Sequence, residues 1–432
     1  MNSPSDFLRS HGFQSAVDTD ALLAEFDRQM DAGLDGRAPA SLAMIPSYVS
    51  MGRAVPVGSP VLVLDAGGTN LRVAVVWFDE RGTPRLEDFQ KFRMPGTEGR
   101  DLPAAEFFGA LAERLRPVVD RAPSVGFCFS YPAEITPECD GCLLRWTKQV
   151  QATEVVGRMV GAGVRDAIRA AFGRDLSVRI VNDTVATLLA GKSAGVSRRY
   201  SSYVGFILGT GTNTAYVERA ERIGKAPGLP AGSLMAINVE SGNFDGVPSS
   251  DFDRAMDAAL PDRGTGRFEK MISGAYLGKV GLAVLRQAAA EGLFSAPAAR
   301  ALQAMADLEN KDFDDFVANP YQAGTAFDAV PLDEADRLRV VELGTPVFVR
   351  AARLTAVNIA AAVLRCGEGR DPLHPVCVTI DGSTFYRTRS AEFKSRIEEA
   401  LRAILGPRGI HYELVRVEEA PIVGAAVAGL TA

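Results

Sequence analysis

Short apolar runs rich in β-branched residues recur along the chain, and several end abruptly in small polar turns. VLVL (Val61 to Leu64) runs into DAGGTN, VRI (Val178 to Ile180) into VND, VGFIL (Val204 to Leu208) into GTGTN, and VCVTI (Val376 to Ile380) into DGS. Runs of this length bounded by glycine and asparagine predict buried strands that deliver loops to one edge of a sheet. Further strands are predicted at LRVAVVWF after Asn70, around Leu86 to Arg93 and at Val125 to Phe129. Helical spacing predicts helices around Leu22 to Leu34, near Ala104 to Val119, near Val155 to Phe172, and at Ile422 to Leu430. LTAVNIAAAVL (Leu354 to Leu364) is apolar but interrupted by Asn358 and preceded by Arg350 and Arg353, which predicts a buried core helix. The order is a helix, strand hairpins, then alternating strands and helices, with the pattern repeated once. Two α/β halves with a ligand cleft at the carboxyl ends of their strands fit this layout.

The turns carry the chemistry. A glycine lets bare N–H groups wrap an anion, where a side chain would hold the backbone off. Asp65 and Asp183 add negative charge suited to a magnesium ion, so the three turns at 65–70, 181–183 and 209–213 together read as a phosphoryl-transfer site. Because a strand follows Asn70, the first turn is a hairpin and not the strand-to-helix turn of a P-loop, and neither G-x-x-x-x-G-K-[ST] nor G-x-G-x-x-G occurs near it. Taken alone, Asn182-Asp183 would read as an Asx turn or helix N-cap, and Lys148 as a solvated surface lysine. Glu240 and Glu269 would be exposed carboxylates, and Trp146 a core residue.

Composition narrows the class. At 432 residues and 47% hydrophobic the chain has room for two or three globular cores. A net charge of −6 disfavours a nucleic-acid or anionic-membrane binder. The five cysteines make no disulfide framework and predict a reduced, cytoplasmic protein. Cys139 and Cys142 form a single C-x-x-C without the second pair that structural zinc needs, and His11, His374 and His411 are scattered. No signal peptide is read at the N-terminus, and no apolar run reaches the ~18 residues of a membrane span.

Eight segments, in order, resemble the hexokinases and eukaryote-type glucokinases of the actin-like sugar kinase superfamily. They are LDAGGTNLRV (64–73), GFCFSYP (126–132), LLRWTK (143–148), VNDTVATL (181–188), GTGTNTAY (209–216), INVESGNF (237–244), FEKMISGAYLG (268–278) and DGS (381–383). The helix around Leu22 to Leu34 and MIPSYV (44–49) are similar to that family's lead-in. The resemblance implies an α/β, actin-like ATPase (ribonuclease H-like) fold with two domains flanking a cleft. Residues 1–53 would pack on the large domain, 54–190 form the small domain with 421–432 returning to it, and 191–420 form the large domain. Sugar binding would close the hinge, keeping water from the γ-phosphoryl group.

The implied reaction is transfer of the γ-phosphoryl group of Mg-ATP to the 6-hydroxyl of a hexose, glucose first, with fructose, mannose or glucosamine as further acceptors. Asp183 would take the hydroxyl proton, and Lys148 would neutralise charge beside the transferred group. Ser130, Thr147, Lys148, Asn182, Asp183, Asn213, Glu240 and Glu269 would surround the sugar. Asp65 would orient magnesium-bound water, with Asp183 acting on the metal indirectly. Gly67, Gly68, Thr69, Asn70 and Arg72 would approach the phosphates from one side, and Gly209, Thr210, Gly211 and Thr212 from the other. Gly382 and Ser383 match the adenosine-side turn. The chain departs from the family at Gly266, where glutamine is common, at Ser241, where an aromatic is common, and at Tyr131, where phenylalanine is usual. Glu419 to Val423 replace a glycine-serine-glycine loop, which bears on donor choice. A non-catalytic sugar sensor would not need Asp183 with Lys148, and an actin- or chaperone-like ATPase would not need the sugar set. The cysteine/histidine zinc cluster of ROK-type sugar kinases cannot be assembled from these positions.

Overall fold

The computed structural model describes residues 3–36, 40–147, 149–194 and 198–431. Its strands are β1 (Ile45–Ser50), β2 (Val61–Ala66), β3 (Asn70–Phe78), β4 (Pro84–Arg93), β5 (Ser124–Phe129), β6 (Ala133–Ile135), β7 (Gly141–Leu143), β8 (Ser177–Val181), β9 (Ser202–Leu208), β10 (Thr212–Arg219), β11 (Leu234–Asn238), β12 (Val376–Asp381) and β13 (Tyr412–Val415). One sheet has the order β4-β3-β2-β5-β8, and a second the order β1-β11-β10-β9-β12-β13; β6 and β7 form a separate hairpin. In both sheets a hairpin (β2/β3 or β9/β10) has an antiparallel strand beside it on one side and two parallel strands on the other, and in the second sheet β1 adds a further antiparallel strand beyond β11. The duplication is therefore visible in the topology.

Side-chain alternation sorts the cores. Along β2, Leu62, Leu64 and Ala66 face a cluster with the helices Ala104–Leu115 and Val160–Phe172. Val61 and Val63 face the opposite way, into a cluster with Val185 to Ala190, Ile422 to Ala428, and Ala215 and Val217 of β10. Tyr216, between those two β10 residues, points into a third and larger core with the helices Thr19–Leu34, Leu277–Ala290 and Glu334–Cys366. Period-two alternation thus gives each sheet two apolar faces, and the helices Asp183–Ala194 and Ala420–Thr431 are shared between the sheets.

These two shared helices pack unusually closely. A Cβ on Gly424 would fall 1.7 Å from the Ala186 carbonyl oxygen, and one on Gly126 of β5 1.9 Å from that of Ala425. A Cβ on Gly205 of β9 would meet the Leu188 nitrogen at 2.5 Å. The Asp183–Ala194 helix thus lies on the second sheet while continuing directly from a strand of the first.

The expected elements are present, with boundaries that differ for local reasons. The helix expected to Val119 ends at Leu115, because Pro117 has no N–H to continue the ladder. The helix expected from Val155 starts at Val160; Gly157, at φ 80°, breaks the chain, and the Asp140 carboxylate takes the Gly161 and Ala162 N–H groups at 2.6 and 2.8 Å. Asp140 lies in the tight connection between β6 and β7, so the C-x-x-C around it runs from a hairpin turn into β7. The Leu354 to Leu364 stretch belongs to the helix Glu334–Cys366, which is long and apolar enough to cross a membrane but has 83% of its most apolar window buried in the protein. Its Asn358 is buried yet paired, accepting from Thr214 at 2.9 Å and donating to Ser241 at 3.1 Å.

Candidate active site

The glycine turns meet at the carboxyl ends of the central strands. The turn after β2 is closed by the Gly67 N–H donating to the Asn70 carbonyl at 3.0 Å. The turn after β9 is held from outside: the Gly209 carbonyl accepts from the Gly274 N–H and the Thr384 hydroxyl, both at 2.8 Å, and the Thr210 carbonyl from the Ala275 N–H at 3.1 Å. Gly382 sits at φ 116°, where a Cβ would lie 2.2 Å from the Leu208 carbonyl oxygen, so this position requires glycine. A Cβ on Gly209 would find the Gly382 Cα at 3.5 Å and the Ser383 nitrogen at 3.7 Å, which places the two turns side by side. Gly211 is small for another reason: a Cβ there would come 2.6 Å from Glu269 Oε2, the oxygen that accepts the Thr212 N–H at 2.9 Å.

Asp183 opens a helix directly after β8. Asn182 does the capping: its carbonyl accepts the Ala186 N–H and its side-chain oxygen the Thr184 N–H, both at 2.8 Å. The Asx-turn reading is therefore right for Asn182 and leaves the Asp183 carboxylate with only the Thr184 hydroxyl, at 3.3 Å, among the described residues. On the second sheet, Asn213 Nδ2 donates to Asn238 Oδ1 at 2.7 Å and to Glu240 Oε1 at 3.3 Å, while Asn238 Nδ2 donates to the same Glu240 oxygen at 2.8 Å. The Asn213 side-chain oxygen Oδ1 accepts the Thr214 and Ser241 N–H groups. Glu240 itself is in the left-handed region at φ 58°, a strained position for a non-glycine residue that aims its side chain back at this amide pair. Neither glutamate is an exposed loop carboxylate.

Two further expected residues lie at the same corner of the first sheet. The Ser130 N–H donates to the Ala66 carbonyl at 3.3 Å, beside the first turn. Thr147 is half-buried next to Trp146, whose indole donates to the Ala152 carbonyl at 2.7 Å and packs on Phe107, Phe129 and Tyr131. Trp146 is thus a core residue that braces this loop. Lys148 lies outside the described residues.

Electrostatics tie the two sides together. Burial raises the proton affinity of Glu240, its two amide partners lower it, and the Asp183 charge raises it again. Glu269 is raised by burial and by Glu240, against the Thr212 N–H. On the other side, burial pushes Asp65 up to about 6, with Arg72 pulling down and Asp183 and Glu419 adding to the rise. Asp381 is likewise raised by burial and by the charges of Asp183 and Glu419. Asp183 therefore stands between a polar pocket and an acidic, glycine-lined cleft.

The cleft suits a cation with polyphosphate. Asp65 Oδ2 is buried and has no hydrogen-bond donor among the described residues, although Arg72 Nε approaches it to 3.2 Å as an ion pair. The Arg72 guanidinium is shared, with Nη1 2.6 Å from Glu419 Oε2. A buried carboxylate that shares its one guanidinium with a second acid is the kind of group a divalent ion stabilises.

Comparison with known proteins agrees with this geometry. Residues 13–193 and 203–431 each match a hexokinase family model. Hexokinase-7 of Oryza sativa subsp. japonica is 31% identical over 92% of the chain and 90% of its own length, and hexokinase-2 of Solanum tuberosum is 32% identical over 88% and 80%. The chain belongs to the hexokinase family. A solved hexokinase from Schistosoma mansoni, complexed with glucose, superposes with a TM-score of 0.77 at 26% identity, covering 98% of this chain and 97% of the other. The fold is the actin-like one, and the activity is that of an ATP-dependent sugar kinase.

Among the residues that shape the site, sequence reasoning missed Asn238, which completes the amide pair on Glu240, and the braces Gly274, Ala275 and Thr384 behind the turn at 209–212. Asn238 stood inside the INVESGNF segment, at the end of β11, but its contact with Glu240 depends on the left-handed backbone at Glu240, which has no sequence signal. Gly274 and Ala275 stood inside FEKMISGAYLG, whereas nothing in the sequence marked Thr384. Glu419 also lay in view, as a departure, but its pairing with Arg72 spans 347 positions and has no local signal.

Proposed function

We propose that this hexokinase phosphorylates the 6-hydroxyl of glucose from Mg-ATP, with Asp183 as general base. The observation that carries the reading is the placement of Asp183, whose charge acts on Glu240 on the sugar side and on Asp65 and Asp381 on the phosphate side. In the transfer, Asp183 accepts the proton of the sugar hydroxyl as that oxygen bonds to the γ-phosphorus. The bond from that phosphorus to the β–γ bridging oxygen breaks, and ADP leaves with the electron pair. Base catalysis of this kind is worth ~10²- to 10⁴-fold, and positioning supplies much of the rest.

The acceptor pocket supports a polyhydroxylated ring. Glu240 Oε1 is occupied by two amides and Glu269 Oε2 by a backbone N–H, so Glu240 Oε2 and Glu269 Oε1 remain for hydroxyl donors among the described residues. Asn182, Asn213, Ser130 and Thr147 add amide and hydroxyl groups at the rim, and Lys148 is assigned to the charge of the transferred group. A sugar lacking one of these hydroxyls leaves a buried polar atom unpaired, which is how such a pocket discriminates.

Asp65 would hold magnesium through water, with Asp183 acting on it indirectly, and the metal would supply charge neutralisation for the phosphates. The turns at Gly67 to Asn70 and Gly209 to Thr212 cradle the phosphates, Arg72 meets them once released from Glu419, and Gly382 with Ser383 faces the nucleoside. Five unpaired cysteines support a cytoplasmic location.

The test is a panel of glucose, fructose, mannose and glucosamine with Mg-ATP, with Asp183→Ala in parallel. Glucose turnover that drops by at least ~10²-fold in the variant, while glucose still binds, is the expected result. Glucose binding without turnover in the wild type would replace the kinase by a sugar sensor, and undiminished turnover in the variant would remove Asp183 from the reaction.

A further inference from the structure

Tyr131 follows Ser130 at the end of β5, and its hydroxyl donates to the Gly67 carbonyl at 2.6 Å, with the Gly68 carbonyl at 3.4 Å. The side chain is buried, 4% exposed, in the core of the first sheet. Its ring stands edge-on to Trp146, centroids 4.9 Å apart at 84°, and is tilted against Phe129 at 5.0 Å. Burial, helped by the Asp65 charge, pushes the phenol well above its usual range, so it stays a donor throughout the physiological range. The C=O and the following N–H of a trans peptide point to opposite sides. Holding the Gly67 carbonyl against Tyr131 therefore turns the Gly68 N–H away from the core. Among the described residues nothing accepts from the Gly68 or Thr69 N–H. A Gly-Gly step has no Cβ to bias its peptide plane, so an outside clamp decides which face it shows.

We propose that Tyr131 is a positioning residue for the phosphoryl donor: its hydroxyl fixes the Gly67–Gly68 peptide with the N–H directed at the donor phosphates, and its ring, through Trp146, links that peptide to the acceptor loop carrying Thr147. The proposal rests on the reading of the 67–70 turn as a phosphate cradle. It adds a route by which an occupied sugar pocket steadies the donor site, since the loop that meets the sugar and the peptide that meets the phosphate share one buried ring.

Tyr131→Phe keeps the ring and its packing and removes only the hydroxyl. Calorimetric titration of the variant should show Mg-ATP binding weakened ~3- to 10-fold, the worth of one hydrogen bond, and a smaller tightening of Mg-ATP binding by glucose. Glucose affinity should match the wild type, and the melting temperature should fall by no more than the loss of one buried hydrogen bond. Unchanged Mg-ATP affinity, or equal weakening toward glucose and Mg-ATP, would overturn the proposal, because a structural role alone would not separate the two ligands. Binding, rather than turnover, keeps this apart from the kinase reading. A wild type that binds Mg-ATP but phosphorylates no sugar would end the acceptor assignment and leave the Tyr131 comparison decisive. A wild type that binds no Mg-ATP would end both.

Discussion

His11 shows how one side chain can fasten a segment to a domain. It closes the N-terminal helix Pro4–Ser10 and sits between two carboxylates, Nδ1 2.9 Å from Asp251 and Nε2 2.8 Å from Glu291. Burial lowers its proton affinity, but the hydrogen bonds and charges of the two acids outweigh that and hold its pKa above 6.5. A group raised in the folded state stabilises fully below its unfolded value, and that contribution is lost as pH rises through the folded value. The melting temperature of the wild type should therefore fall, relative to His11→Gln, as pH is raised from about 6.5. The two curves should run parallel above the folded pKa, where the imidazole is neutral in both states. A difference that does not change with pH would mean that His11 contributes packing on Phe7 and Phe252 and no charge.

Between elements, the crossing of the helices Asp183–Ala194 and Ala420–Thr431 leaves no room for a methyl group at Gly424. Gly424→Ala should force the helices apart at a cost of ~1–3 kcal/mol or more, seen as a lower melting temperature. It should also reduce turnover, because Asp183 opens the displaced helix. Wild-type melting and turnover in this variant would refute the close crossing. The same helices show what was legible from sequence. Ile422 to Leu430 could be read as a helix from its apolar run, and Asp183 as a chemical residue from its place after a buried strand. That Gly424 faces Ala186 and Gly126 faces Ala425 could not be read, because glycines chosen for close approach look the same as glycines chosen for turns. Strand existence was legible because β2, β5, β9 and β12 are buried on both faces and so are continuous apolar runs. Helix ends were less so. The start at Val160 depends on Asp140, twenty positions earlier, reaching its first N–H groups. In the site, single residues inside dense motifs were legible, while partners brought in from far along the chain, such as Glu419 and Thr384, were not.

For the molecule as a whole, the proposed acceptor pocket is divided. Ser130 and Thr147 come from loops of the first sheet, Asn213, Glu240 and Glu269 from the second, and the sheets share the paired helices as their common layer. A sugar that hydrogen-bonds both sets gains its full binding energy only when the two sheets approach, so it favours a closed arrangement in proportion to its preference for it. Closure also removes water, which would otherwise compete with the sugar for the γ-phosphoryl group. Saturating glucose should therefore reduce the radius of gyration measured by small-angle X-ray scattering. Glu240→Gln, which keeps shape but weakens the second sheet's hold on the sugar, should need more glucose to reach the same compaction. ATP hydrolysis in the absence of sugar should be far slower than sugar phosphorylation, because the open arrangement leaves Asp183 without an aligned acceptor. Scattering that does not change at saturating glucose would mean that the two sheets already stand at their catalytic separation, and exclusion of water would then fall to the loops at 144–147 and 261–268.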